Sequence, residues 1–156
     1  MIIGVLIMNN KEHISSAISD CAKQIYEQNV KVGWWEDLKA IDQVAQNPEL
    51  KRQLDIIFKK DFVEYLKNIL KCQKLALIHS EISEALEGLR RNLKDDHLPE
   101  YDMLAVELGD AIIRILDLGA ACGYPMGKIV TEKIEYNAQR SDHKKENRDR
   151  LHGKQF

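Results

Sequence analysis

Residues 103–122 read MLAVELGDAIIRILDLGAAC. Every one is apolar or glycine except Glu107, Asp110, Arg114 and Asp117, a composition that suits a helix buried nearly all round. At about 100° per residue those four side chains fall within an arc of roughly 80°, so they form a single charged stripe on an apolar rod. Carboxylates withdrawn from water are costly unless a cation compensates them. The stripe therefore asks for something positive opposite it.

The preceding segment supplies more acid. Glu81 and Glu84 are three residues apart and share a face, beside an apolar stripe of Leu75, Ile78, Ile82, Leu86 and Leu89. A helix is expected from Lys74 to about Arg91, a loop over Asn92 to Asp96, and a further helix from about Glu100 to Cys122, with Pro99 in its first turn. Folding back at that loop makes an antiparallel hairpin with Glu84 about two turns before the bend and Glu107 about two turns after it. Four carboxylates from facing helices form a hard, oxygen-only cage suited to magnesium, with manganese as a substitute. The competing reading is a structural polar network. Within their own helices Glu81, Glu84 and Glu107 have no basic residue three or four positions away, and Asp110 alone has one, Arg114.

The rest of the chain fits an all-α fold of four principal helices plus a helical insert. With 156 residues, 44% of them hydrophobic, and only eight Gly and three Pro, the composition favours one helical domain over residues 1–156. Ile14, Ile18, Cys21 and Ile25 mark a first helix running from Lys11 to near Gly33. One or two helices follow between Glu36 and Lys71, interrupted by Pro48. Gly123 stops the helix after the acidic stripe, and Pro125 starts a last one that carries to about Lys144, ahead of a polar tail from about Lys145. Ile2 to Met8 is too short to span a membrane and has no flanks of a signal peptide. Helix-compatible sequence begins only at Asn9 and Asn10, which favours Met8 as the start of translation.

A formal charge of −2 excludes a strong basic footprint for nucleic acid. Cys21, Cys72 and Cys122 are odd in number and widely spaced, and read as free thiols in a reducing cytoplasm. Lys133, Asn137, Arg140 and Lys144 follow i, i+4, i+7, i+11 spacing and make a largely cationic stripe, which suits a phosphate chain or a solvated surface. No GxxxxGK[ST] loop is present, so any phosphate grip comes from metal and cationic side chains. Trp34 and Trp35 offer indoles for stacking on a nucleobase or for core packing. His79 is turned away from Glu81 and is assigned to packing, and Glu87 either to a supporting place behind the acidic pair or to the surface, with Arg90 and Arg91 in reach.

Glu81-Ile-Ser-Glu84, Glu107-Leu-Gly-Asp110 and Lys133-Ile-Glu-Tyr136-Asn137-Ala-Gln-Arg140 together resemble the pattern of the MazG-like all-α nucleoside triphosphate pyrophosphohydrolases, over residues 74–140. The resemblance implies that Glu81, Glu84, Glu107 and Asp110 hold magnesium and that Lys133, Asn137 and Arg140 approach a triphosphate. It also implies hydrolysis of (deoxy)nucleoside triphosphates to monophosphate and pyrophosphate in nucleotide-pool house-cleaning, and a homodimer or homotetramer. By position, Glu81 or Glu84 is the candidate acceptor of the water's proton. The segment from Glu36 to Lys71 is longer than the shortest members of that family require. A di-iron bundle is excluded because no Glu is followed three residues later by His, and an HD-type phosphohydrolase because no His-Asp dipeptide occurs. The rival from another class is a non-catalytic helical interaction module with a structural acidic cluster.

Overall fold

A computed structural model of the chain describes residues 2–140, with side chains from residue 10. Lys144 and the tail from Lys145 lie outside the described residues. Among the described residues six helices follow in order: α1 (Ile2–Lys31), α2 (Glu36–Ala45), α3 (Pro48–Phe58), α4 (Phe62–Arg91), α5 (Met103–Ala121) and α6 (Met126–Gln139). No strand occurs among the described residues, and the fold is all-α as expected. The described residues divide into two compact units, residues 22–122 and the two segments 2–21 and 123–140.

In the larger unit, local capping explains where each helix begins and ends. The C-terminus of α1 closes with Trp34 N–H donating to Asn29 O and Gly33 N–H to Val30 O, and Gly33 takes the positive φ of 90° that this turn needs. Pro48 occupies the first turn of α3 behind Asn47, whose side chain accepts from Leu50 N. Between α3 and α4, Asp61 caps α4 by accepting from Glu64 N, and Asp55 Oδ1 accepts from Phe62 N at 2.8 Å. The helix expected to start at Lys74 begins twelve residues earlier, at Phe62, because nothing between the Asp61 cap and Lys74 breaks it.

The α4–α5 hairpin is the most extensive helix pairing of this unit, with α2 and α3 against α4. Its connection is longer and more ordered than the sequence suggests. Asp95 is buried, and its Oδ1 accepts from His97 N (2.9 Å) and Leu98 N (2.7 Å). Lys94 pairs with Asp102 at 2.8 Å. These bonds hold residues 93–102 out of helical conformation, so α5 starts at Met103 and Pro99 sits in the turn before it rather than in its first turn. A core of Trp35, Ile41, Val63 and Leu70, joined by Tyr26, Leu38, Leu66 and Leu118, lies beyond the acidic part of the hairpin.

The smaller unit comprises the start of α1 and all of α6. Here α6 approaches the Ser15 carbonyl so closely at Gly127 that no side chain fits there, and Lys11 pairs with Glu135 at 2.8 Å. Helix α1 already includes Ile2–Met8, which corrects the expectation that helix begins at Asn9, since extending a formed helix is easier than nucleating one. Helix α6 ends at Gln139, short of Lys144, and Arg140 is extended. Cys21, Cys72 and Cys122 are free thiols, and no helix among the described residues is long and apolar enough to cross a membrane.

Two glycines of the hairpin predict opposite stability changes. A Cβ on Gly88 would lie 2.8 Å from Met103 Cβ, whereas one on Gly109 would meet nothing within 4 Å. Gly88→Ala is expected to destabilise by about 1–3 kcal/mol through overpacking, and Gly109→Ala to gain up to about 1 kcal/mol of helix propensity, both measured by urea unfolding.

Candidate metal centre and adjoining cavity

Glu81 and Glu84 project from the C-terminal half of α4, Glu107 from the second turn of α5, and the hairpin brings them together. One carboxylate oxygen of each lies within 4.8 Å of the others. Glu81 and Glu107 are buried at the helix seam, at 5% and 7% exposure, while Glu84 is open to solvent. Asp110 stands outside that group of three, half-buried, one methylene shorter than a glutamate and turned into a neighbouring cavity. Its charge still reaches Glu107.

The electrostatics record the strain of assembling these groups. Burial first, then a hydrogen bond to Glu81 and the charges of Glu84, Glu81 and Asp110, push the Glu107 carboxyl up from 4.5 to about 7. One cation is present. Arg114, four residues after Asp110, reaches across the seam to Glu81 rather than back to Asp110, with Nε 2.5 Å from Oε1. The approach is off the N–H axis, so this buried Nε makes an ion pair without forming a hydrogen bond. Glu84, Glu107 and Asp110 make no ion pair among the described residues.

The donor set fits magnesium or manganese. It is hard and oxygen-only, it carries more negative charge than Arg114 can balance, and its three oxygens already lie within 4.8 Å of one another, close enough for glutamate torsions to bring them inside a magnesium–oxygen shell about 4.2 Å across.

Beside the cluster lies a cavity of about 260 Å³ lined by Asn29, Trp34, Lys74, Leu77, Asp110, Ile113, Arg114 and Asp117. The two tryptophans part company here. Trp35 is buried at 3% exposure, packs edge-on against Tyr26, and donates from Nε1 to both oxygens of buried Asp117 at 3.0 and 3.2 Å. Trp34 is half-exposed and forms a wall of the cavity, with the Arg114 guanidinium 5.2 Å from its ring centre. Lys74 donates to Trp34 O at 2.9 Å, and burial lowers its pKa. Lys74, Asn29, Arg114 and Asp117 were not among the site residues expected from the sequence. Asp117 and Arg114 had a signal, the polar stripe of α5, but Lys74 and Asn29 had none.

Lys133, Asn137 and Arg140 belong to the smaller unit. Lys133 Nζ lies 4.6 Å and the Arg140 guanidinium 5.9 Å from the Tyr136 ring centre, and Asn137 Oδ1 is buried without a hydrogen-bond partner. His79 is exposed, which corrects its assignment to packing, and Glu87 pairs with Arg90 and Arg91 on the surface.

A raised carboxyl pKa means that the folded protein keeps a proton the unfolded chain has released. In chelator-treated protein this contribution is fully present below about pH 4.5 and is lost as pH rises to about 7, a fall of up to about 3 kcal/mol. Asp55 and Asp61, whose pKa values are lowered by Lys51 and by backbone N–H groups, titrate below this window. Urea unfolding from pH 4.5 to 8 is expected to show the slope in the native protein and to lose it in Glu107→Gln. No family model matches this sequence, no curated protein matches it, and no solved structure matches it.

Proposed function

We propose that the chain is a magnesium-dependent nucleoside triphosphate pyrophosphohydrolase. The observation that carries this is the convergence of Glu81, Glu84 and Glu107 at the seam of the α4–α5 hairpin, next to a cavity walled by an indole and two cations. The MazG-like pattern of the sequence supplies the reaction, attack at the α-phosphorus with release of pyrophosphate.

In this proposal Glu81, Glu84 and Glu107 hold the ion, with Asp110 drawn in from the cavity side. The chemistry magnesium supplies in such a cage is neutralisation of phosphoryl charge and activation of water. Glu84 is the better candidate of the expected pair to accept the water's proton, because it faces solvent, whereas Glu81 is buried at the seam. Trp34 offers a flat face of the cavity to a nucleobase, with Asn29 and Asp117 as polar neighbours. Trp35 positions Asp117 from the core side. Lys133, Asn137 and Arg140 are assigned to the triphosphate by the sequence pattern.

A second part of the proposal is a homodimer. Leu75, Ile82, Leu86 and Leu89 of α4 and Leu108, Ile112 and Ile115 of α5 are each 41–60% exposed. Each stripe lies about 110–120° around its helix from the seam residues, and because the helices are antiparallel, equal rotations put both stripes on one side of the hairpin. An apolar face of this kind suits a self-complementary contact of roughly 800 Å² per partner.

Purified protein with magnesium and a panel of canonical and modified nucleotides is expected to release pyrophosphate and monophosphate, with turnover at least about 100-fold lower in Glu84→Gln. Orthophosphate with diphosphate would overturn the assigned reaction, and no turnover of any nucleotide would favour the non-catalytic interaction module. Light scattering after gel filtration should give a dimer or a tetramer that Leu86→Lys combined with Ile112→Lys reduces to a monomer; a monomeric native protein removes the homo-oligomer.

A further inference from the structure

Arg114 stands between the acidic cluster and the cavity and belongs to both. Its Nε is 2.5 Å from Glu81 Oε1, and its guanidinium carbon is 5.2 Å from the Trp34 ring centre. Among the described residues it makes the one ion pair to Glu81, Glu84, Glu107 or Asp110. The pair is poorly made, because the buried Nε finds no acceptor along its N–H axis, and a guanidinium normally meets a carboxylate through a two-bonded fork. Arg114 is thus close to Glu81 for its charge and not through directional bonding.

We propose that Arg114 is the resident counter-ion of the cluster, paired with Glu81 while no divalent cation is bound and displaced into the Trp34 cavity when one binds. The proposal rests on the metal reading of the cluster given above and deepens it. A divalent ion and a guanidinium drawn to the same carboxylate oxygen compete for it and repel each other, and the ion is the stronger partner of a hard oxygen cage. Arg114 has somewhere to go. The cavity adjoins it, Trp34 presents a ring face that holds a guanidinium by cation–π attraction, and Asp117 lies along the same wall. Displacement therefore moves one positive charge from the seam into the space where an anionic ligand would enter. Arg114 becomes a positioning residue that makes the cavity attractive to phosphate only after the metal site is filled.

This differs from a structural salt bridge in the sign of one effect. If the Arg114–Glu81 pair only braces the hairpin, removing the arginine loosens the carboxylates and weakens metal binding or leaves it unchanged. If Arg114 competes with the ion, removing it frees Glu81 and tightens binding. Magnesium alone is titrated into the full chain by calorimetry and by tryptophan emission. Arg114→Met, which keeps the apolar stem against Trp34, is expected to bind magnesium roughly three- to tenfold more tightly than the native protein, and Arg114→Lys to return toward the native affinity. The native protein is expected to change its emission on magnesium addition, and this change should be absent in Trp34→Phe and reduced in Arg114→Met. Arg114→Gln serves as the second variant where Arg114→Met does not melt cooperatively. Equal or weaker magnesium binding by the arginine variants, with the native protein binding normally, overturns the displacement and leaves the metal site standing. No magnesium binding by native protein or variants overturns both.

Discussion

Everything at the candidate site depends on holding like charges at the seam of two helices. Glu81 and Glu107 are nearly inaccessible to water, Glu84 is beside them, and one arginine answers them through an off-axis contact. Left alone, such a group repels itself, and burial together with the neighbouring carboxylates pushes the Glu107 carboxyl up to about 7. The hairpin can carry this cost because it is tied elsewhere. Asp95 fixes the connection through two backbone bonds, Gly88 lets Met103 pack tightly at the loop end, and the Trp35, Val63 and Leu70 core grips the far end.

The acidic pairing was legible in the sequence because it depends on helical periodicity and one turn, and both are local. Residue spacing placed Glu81 and Glu84 on one face, and the apolar character of residues 103–122 marked Glu107 as buried. What could not be read was how charges pair across the seam. Arg114 is four residues from Asp110, the spacing of an intrahelical bridge, yet it spans to Glu81 because the seam offers a more buried carboxylate. The boundaries of α4 and α5 were misplaced for a related reason. A proline at position 99 signals a helix start only where no longer-range bonds compete, and here the Lys94–Asp102 and Asp95 contacts hold the chain in bends and a turn, out of the helix, until Met103.

Trp34 and Trp35 illustrate how adjacent identical residues acquire different duties. The turn at Gly33 reverses the chain so that consecutive side chains leave in different directions, one into the core and one to the cavity wall. Trp35 satisfies its indole N–H on Asp117 and relieves the burial of that acid. Its hydrogen bond thereby explains the last member of the polar stripe on α5 without recourse to a metal. Sequence alone treats the four stripe residues as equivalent. The fold separates them into Glu107 at the seam, Asp110 at the cavity, Arg114 bridging the two, and Asp117 fastened to the core.

That separation also indicates why the cavity lies where it does. The segment from Glu36 to Lys71 supplies α2, α3 and the first turns of α4, and these build the apolar core behind Trp35. Without that core Trp35 would have no reason to turn inward, Asp117 would lose its donor, and Trp34 would not be displayed on the opposite side of the turn. This segment therefore acts on the candidate site through the tryptophan pair: it buries one indole, and in doing so leaves the other exposed beside Arg114, where a ring face and a cation meet next to the carboxylates.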